Sequence, residues 1–230
     1  MKKTIPLLLL FALTFAGCQG VAFTTAYLLK GTDVKPKYDI LLKEEKRVAI
    51  VPRSVYSNAY ELQNVPQEIA RNVNNLLDDN IRHHARMNYR NKKLTVVEQS
   101  KVEAWLDSYN NDFDSFAEVG KDKSINADIV IGFDVIGFQI RDPQNAYLVQ
   151  GKCQVQVKAI DCATGKILAS ETLTIVDPPS MPISGGPHVE ALFRPQFVQV
   201  VAQKIAALFH YHDPNKLMRM DADNIEMHRL

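Results

Sequence analysis

The sequence predicts an α/β fold of the α+β kind. One mixed sheet opens with a parallel β-α-β unit, continues as an antiparallel meander, and carries its helices mainly on one face. Three observations predict it. The short β-branched run "RVAIVP" (47–52) is followed by a helix-periodic segment and then by a second run, "LTVVEQ" (94–99). Strand, helix, strand in that order makes the two strands parallel, joined by a right-handed crossover. Three strand-like segments then follow one another with no helix between them, so they must pair as antiparallel hairpins. The middle one, "AYLVQGKCQVQVKAID" (146–161), alternates: Gly151, Cys153, Val155, Val157 and Ala159 share one face, and Lys152, Gln154, Gln156 and Lys158 share the other. A period of two with one wet face marks a sheet covered on a single side.

Each element has its own signal. "RVAIVP" reads as a buried strand ended by Pro52. Pro66 opens the first helix at a first-turn position, where its missing N–H costs nothing. From Gln67 to His84, the residues Ile69, Val73, Leu76, Leu77 and Ile81 recur at spacings of three and four, one apolar helical face. Ser100 with Glu103 has the spacing of a capping box for a helix carrying Val102, Trp105, Leu106 and Tyr109. Ser115 with Glu118 repeats it for a shorter helix. "ADIVIGFDVIGFQI" (127–140) is strand, with Gly132 and Gly137 suggesting a bulge or bend. "CATGK" is a turn in which Gly165 takes a positive φ, and "ILASETLTIV" returns from it. "DPPSMPISGGP" (177–187) is a turn-rich loop. A last helix runs from His188 to Phe209 with a kink expected at Pro195, and a helix-capable tail follows Pro214.

Ahead of the domain stand Lys2 and Lys3, an apolar run from Ile5 to Phe15, and then Ala16-Gly17-Cys18. A basic start, about eleven apolar residues and a small-residue break are the parts of a secretory signal. That run is too brief for a hydrocarbon core, which needs roughly twenty residues. The segment resembles a bacterial lipoprotein signal, with Phe15 where Leu is usual. The resemblance implies cleavage before Cys18, diacylglycerol on its sulfur and an acylated amine, palmitate-type chains that hold the protein on a membrane. Two or three acyl chains anchor stably where one does not. The competing reading is an uncleaved helix continuing through Val21 to Leu29, which Gln19 and the glycines interrupt. Gln19, where an Asp would imply inner-membrane retention, points to the outer membrane by the same resemblance.

The chain thus divides into a signal peptide (1–17), the lipidated cysteine and a tether (18–46), the α/β domain (47–212) and a C-terminal tail (213–230). In the tether, "VAFTTAYLL" (21–29) is more apolar than a flexible linker, and is expected to pack on the domain, a neighbour or the membrane surface. Cleavage removes two of the 27 basic residues and none of the 26 acidic ones, leaving a net charge of −1. A near-neutral chain gives no electrostatic reason to expect nucleic acid as a partner. Cys153 and Cys162 remain after the anchor cysteine. Nine residues apart on one extended segment they would be about 30 Å apart, far beyond the reach of a disulfide, so no bridge is expected.

Three stretches line up as a family resemblance: Pro52 after the first strand, Ala127-Asp128 before the strand with Gly132, and Asp161 with Thr164-Gly165 at the hairpin. Over residues 47–210 they resemble the domain shared by the Tol translocation protein's N-terminal module, the curli secretion channel lipoprotein and the lipoprotein activators of penicillin-binding proteins. The resemblance implies a fold and a periplasm-facing envelope location; function varies within that group. A curli-type pore needs two membrane hairpins per subunit with strands of about 9–11 residues. The connections 53–65 and 141–145 do not supply them.

No catalytic, cofactor or metal site is expected. His83 and His84 point about 100° apart on a helix, and His210, His212 and Asp213 lack a further ligand at metal spacing. Asp107, Asp112 and Asp114 lack the glycine and terminal glutamate of a calcium loop and read as helix-end residues. Ser184-Gly185-Gly186-Pro187 precedes a helix without the lysine of a phosphate loop. There is no Gly-x-Ser-x-Gly elbow, and Trp105 with Tyr109 reads as core. The expectation is a non-enzymatic, lipid-anchored envelope protein that binds another envelope protein, through the 53–65 loop, the 178–187 loop or the tether. The alternative is a subunit of an oligomeric export assembly, held together by self-association.

Overall fold

A computed structural model describes residues 34–42, 45–54, 64–86, 94–109, 112–142, 145–179, 181–185 and 187–212. They fall into two compact units. Lys35–Tyr211 is one; the other contributes Val34 and His212, which pair in an antiparallel bridge. Cys18, the 21–29 segment, residues 55–63 and the tail from Asp213 lie outside the described residues.

In the larger unit, β1 (Arg47–Ser54), α1 (Val65–Arg86), β2 (Thr95–Val96), α2 (Gln99–Ser108), α3 (Phe116–Lys121), β3 (Ile129–Asp142), β4 (Asn145–Asp161), β5 (Ile167–Asp177), β6 (Ile183–Ser184) and α4 (Pro187–Ala206) follow in order. The sheet order is β2-β1-β3-β4-β5, with β6 beside the start of β4. β1 is parallel to both β2 and β3, and β3, β4 and β5 are antiparallel. This is the mixed sheet read from the sequence, with β6 an addition inside the segment taken as loop.

The sheet divides the core in two. α1 buries Ile69, Val73 and Leu77, and α4 buries Phe193, Phe197, Val201 and Ile205, against Ile131, Phe133 and Val135 of β3 and Cys153, Val155 and Val157 of β4. On the opposite face α2 and α3 cover only the β1–β3 end, with Val102, Leu106, Phe116 and Val119 over Ala49, Val51 and Val130. Among the described residues, that face is uncovered beyond β3 except at the end of β4, where Ile160 and Cys162 join the same cluster. Cys153 belongs to the first cluster and Cys162 to the second, so the sheet itself stands between the two thiols, and both are free.

Several boundaries differ from the sequence reading, each for a local reason. Pro52 does not end β1; it pairs with Phe133 inside the strand. The carbonyls of Val48 and Ile50 accept from the Val97 amide and the Gln99 side chain. By strand alternation Pro52 faces that same side, where β2 pairs only with Arg47 and Val48 and no described strand needs the missing N–H. β2 stops at Val96 because Gln99 already opens α2, its side chain spanning Ile50 O and Asn74. The Ser100–Glu103 box does not form: the N-cap is Glu98, without a side-chain bond. Glu103 instead takes a bidentate pair from Arg71 at 2.6 and 2.9 Å, joining α1 to α2. Ser115 is the N-cap of α3 as expected, without the side-chain bond. The expected bulge falls between Val135 and Gly137. Gly132 instead makes room for α3, since a Cβ there would stand 2.4 Å from the Phe116 ring. Gly165 has φ +72° in the β4–β5 turn. Pro195 lies inside α4 at an exposed position.

The segment Lys35–Leu42 packs rather than trails. Leu41 is buried in the first cluster and Tyr38 stacks on Phe209 with centroids 6.0 Å apart. Tyr38 N–H donates to Leu208 O at 2.9 Å, and its hydroxyl reaches Glu171 at 2.8 Å and Ser170 O at 3.3 Å on β5.

Candidate functional site

The open half of the sheet is the part of the surface that the fold leaves for work. β4 presents Lys152, Gln154, Gln156 and Lys158 there, opposite Val176, Thr174, Thr172 and Ser170 of β5. The alternation that fixes this is the same one that sends Cys153, Val155 and Val157 into the core.

Where the open face meets the α2–α3 cap, three charges converge. Asp134, its side chain 6% exposed, accepts from Arg53 Nε at 2.6 Å and lies 3.8 Å from Lys158 Nζ. Arg53 is the register partner of Asp134 across the parallel β1–β3 pair. Its guanidinium also lies over Phe113 and Phe116, 5.4 and 4.8 Å from their centroids. A carboxylate this buried needs paired charge and hydrogen bonds, and the cluster supplies both. Nothing in the sequence reading picked these residues. The available signal was the lone acid in the apolar run "IVIGFDVIGF".

At the end of the sheet where β1 and β3 start and β4 ends, a cleft of about 280 Å³ is lined by Lys46, Gly120, Lys121, Asn126, Ala127, Asp128, Asp161, Cys162 and Ala163. Its acids have local duties. Asp128 Oδ2 accepts from the Arg47 amide at 2.7 Å. Asp161 accepts from the Thr164 hydroxyl and amide at 2.7 and 2.8 Å, which hold its carboxyl below the usual range and close the hairpin. Burial, aided by the charges of Asp161 and Asp128, pushes the Cys162 thiol up to about 11; burial alone pushes Cys153 to about 12. A nucleophilic cysteine requires the opposite shift.

The residues considered from sequence scatter. His83 and His84 fall in the last turn of α1. His210 Nδ1 is hydrogen-bonded to Tyr211 O, in the tautomer that donates. His212 is the bridge partner of Val34. Asp107, Asp112 and Asp114 are exposed around the end of α2 and the approach to α3. The Gly185 amide is taken by Tyr147 O at 2.9 Å, so it is not offered to an anion. Trp105 packs against the second cluster and stacks on Tyr109 at 4.4 Å, but Tyr109 is 52% exposed, so the pair read as core is core only at Trp105. Among the described residues, no three His, Cys, Asp or Glu side chains gather as metal ligands, and no helix is long and apolar enough to cross a membrane.

No family model matches the chain, and no curated protein matches it. Solved structures do. The chain is similar to PelC from Paraburkholderia phytofirmans, a dodecamer, at 11% identity and TM-score 0.40, over 77% of this chain and 96% of that one. It is similar to protein XCC0632 from Xanthomonas campestris at 13% identity and TM-score 0.43, over 76% and 84%. The lipoprotein GNA1162 from Neisseria meningitidis is similar at 12% identity and TM-score 0.35, over 68% of this chain and 98% of that one.

Proposed function

We propose that this chain is a non-enzymatic, lipid-anchored protein of the cell envelope, held on the outer membrane through Cys18 with its α/β unit facing the periplasm, where it binds other proteins. The observation that carries the proposal is Ala16-Gly17-Cys18 at the end of a basic and then apolar leader too short to span a bilayer. The use of the charged side chains supports it. Asp134, Glu103, Glu171, Glu190 and Asp161 are each engaged in a structural pair or turn. What the unit offers outward is a polar sheet face and, in the 178–187 loop, Met181, 75% exposed. A subunit of an oligomeric envelope export assembly is the second reading, favoured by the apolar "VAFTTAYLL" segment, which suits packing on a neighbour better than free solution.

The anchor is tested by the intact mass of protein extracted from membranes. The expected product starts at Cys18 and carries acyl chains, and Cys18→Ala shifts the protein out of the membrane fraction with no acyl mass. A mature chain that retains Met1 and has an unmodified thiol at Cys18 refutes the proposal. Light scattering on the unlipidated 19–230 chain separates the two readings, since a concentration-independent monomer counts against the assembly.

A further inference from the structure

We propose that the outer edge of β5 pairs with β5 of a second copy of this chain, continuing the sheet across a two-fold axis through Thr174. Asp161 N–H donates to Lys166 O at the hairpin. Alternation from that bond turns the backbone groups of Ala169, Glu171, Leu173, Ile175 and Asp177 toward β4. Those of Ser170, Thr172, Thr174 and Val176 therefore point away from the sheet. The Tyr38 hydroxyl bound to Ser170 O agrees with this, because that carbonyl accepts from a group outside β4. Among the described residues, nothing bonds the outward groups of Thr172, Thr174 and Val176.

Edge strands are ordinarily guarded by lysine, proline, a bulge or a covering segment. Thr172–Val176 reads Thr-Leu-Thr-Ile-Val, uncharged and strand-favouring, and the one β4–β5 irregularity lies at the far end, beside Ile160. The open window is also symmetric. Tyr38 occupies the outward carbonyl at Ser170, and at the other end β5 stops at Asp177, after which Pro178 has no N–H and its carbonyl accepts from Gln150 Nε2 at 3.0 Å. Its centre is Thr174. An antiparallel copy therefore fits with Thr174 exchanging both bonds with its counterpart, and Thr172 with Val176 of the second copy. Glu171, which then faces Asp177 of the second copy, is already offset by Lys37 at 2.7 Å.

A second copy is favoured over an unrelated strand by where the chain enters the unit. Lys37 and Tyr38 are fixed to Glu171, on the α1–α4 face of β5. A two-fold axis normal to the sheet keeps that face on the same side in both copies, so Lys37 and Tyr38 of both copies lie on one side of the joined sheet, the arrangement that suits two anchors in one membrane. This part rests on the proposed anchor; the unguarded and symmetric edge does not.

The test is disulfide trapping of the full mature chain in its native membrane. Directly opposed hydrogen-bonded residues have Cα atoms about 5.5 Å apart, within disulfide range. Thr174→Cys is expected to give a covalent dimer on oxidation. Thr172→Cys alone is expected to give none, and Thr172→Cys combined with Val176→Cys to restore it. Ser100→Cys, exposed on α2, is the control and should stay monomeric. No dimer from Thr174→Cys, or equal dimer from Ser100→Cys or from Thr172→Cys alone, overturns the proposal. The acyl mass at Cys18, measured on the same sample, reports the anchor separately: a lipidated chain with no trapped dimer refutes the pairing and leaves the anchor standing.

Discussion

Replacing Gly132 with alanine tests how tightly α3 is set on the sheet. The added Cβ would lie 2.4 Å from Cγ and 2.6 Å from both Cδ atoms of Phe116, which is itself buried. Carbon atoms pack at about 3.5–4.0 Å, so the ring must retreat by more than about 1 Å. It has little room, with Phe113 at 5.5 Å between centroids and the Arg53 guanidinium over it. Overpacking of this kind costs about 1–3 kcal/mol, and a ring closed in on these sides belongs at the upper end. Phe116→Ala alone costs about 3–5 kcal/mol through the lost contact and the cavity. The decisive measurement is the double-mutant cycle by urea unfolding, followed by far-ultraviolet circular dichroism. With the ring gone, Gly132→Ala should cost under about 0.5 kcal/mol, giving a coupling of about 2 kcal/mol, within the range of residues in contact. An unchanged cost of Gly132→Ala in the Phe116→Ala background would refute the steric account and assign the penalty to the strand itself.

At the neighbouring charge cluster, Arg53→Met should destabilise by about 3 kcal/mol, because it leaves a buried carboxylate with only Lys158, 3.8 Å away, to offset its charge. Asp134→Asn should cost less, about 1 kcal/mol, because Arg53 and Lys158 are each partly exposed and regain water; equal costs in the same unfolding assay would contradict this. Lys37 first, and then Tyr38, hold the Glu171 carboxyl below its usual range. That stabilisation is therefore complete above the ordinary glutamate value and is lost as pH falls through the folded one. Hydrogen-exchange protection of the Tyr38 amide, corrected for intrinsic rates, should fall in that acidic window and lose this dependence in Glu171→Gln; the same dependence in both chains would count against it. Iodoacetamide at mildly alkaline pH should leave Cys153 and Cys162 unmodified in the folded protein and label both in urea, read by mass spectrometry. Labelling of either thiol at the unfolded rate in the folded state would contradict the burial of these groups.

How much could be read from the residues depended on the range of the interaction that decides them. The period-two pattern of 146–161 and the three-four spacing of Ile69, Val73 and Leu77 are imposed by a single buried face, so they survive in one dimension. Gly165 was legible for the same reason, since its φ is a property of one turn. The misreadings are at places settled by partners distant in sequence. Pro52 looked like a stop signal, and it is tolerable within the strand because β2 pairs only with Arg47 and Val48, short of Pro52. Glu103 was spent on Arg71, 32 positions away, and not on its own helix start. Asp134 looked like an interruption of an apolar run, until the parallel register set Arg53 beside it. Cys18 and the leader before it lie outside the described residues, so the lipid anchor is a proposal drawn from the sequence alone.

The two polar features of the sheet differ in what they can offer a partner. The Arg53–Asp134–Lys158 cluster is satisfied within the unit and capped by Phe113 and Phe116, so a visitor there would have to displace good bonds to make new ones. Among the described residues, the backbone edge at Thr172, Thr174 and Val176 has no protein partner, and solvent is the competitor a partner strand must displace. Net gain from exchanging water for a strand is modest per bond, so a five-residue edge suits an association supported from elsewhere. Confinement of copies to one membrane surface raises their effective concentration without any new contact. On a unit anchored as proposed, a short, unguarded edge is therefore coherent where the same edge on a freely diffusing one would be weak.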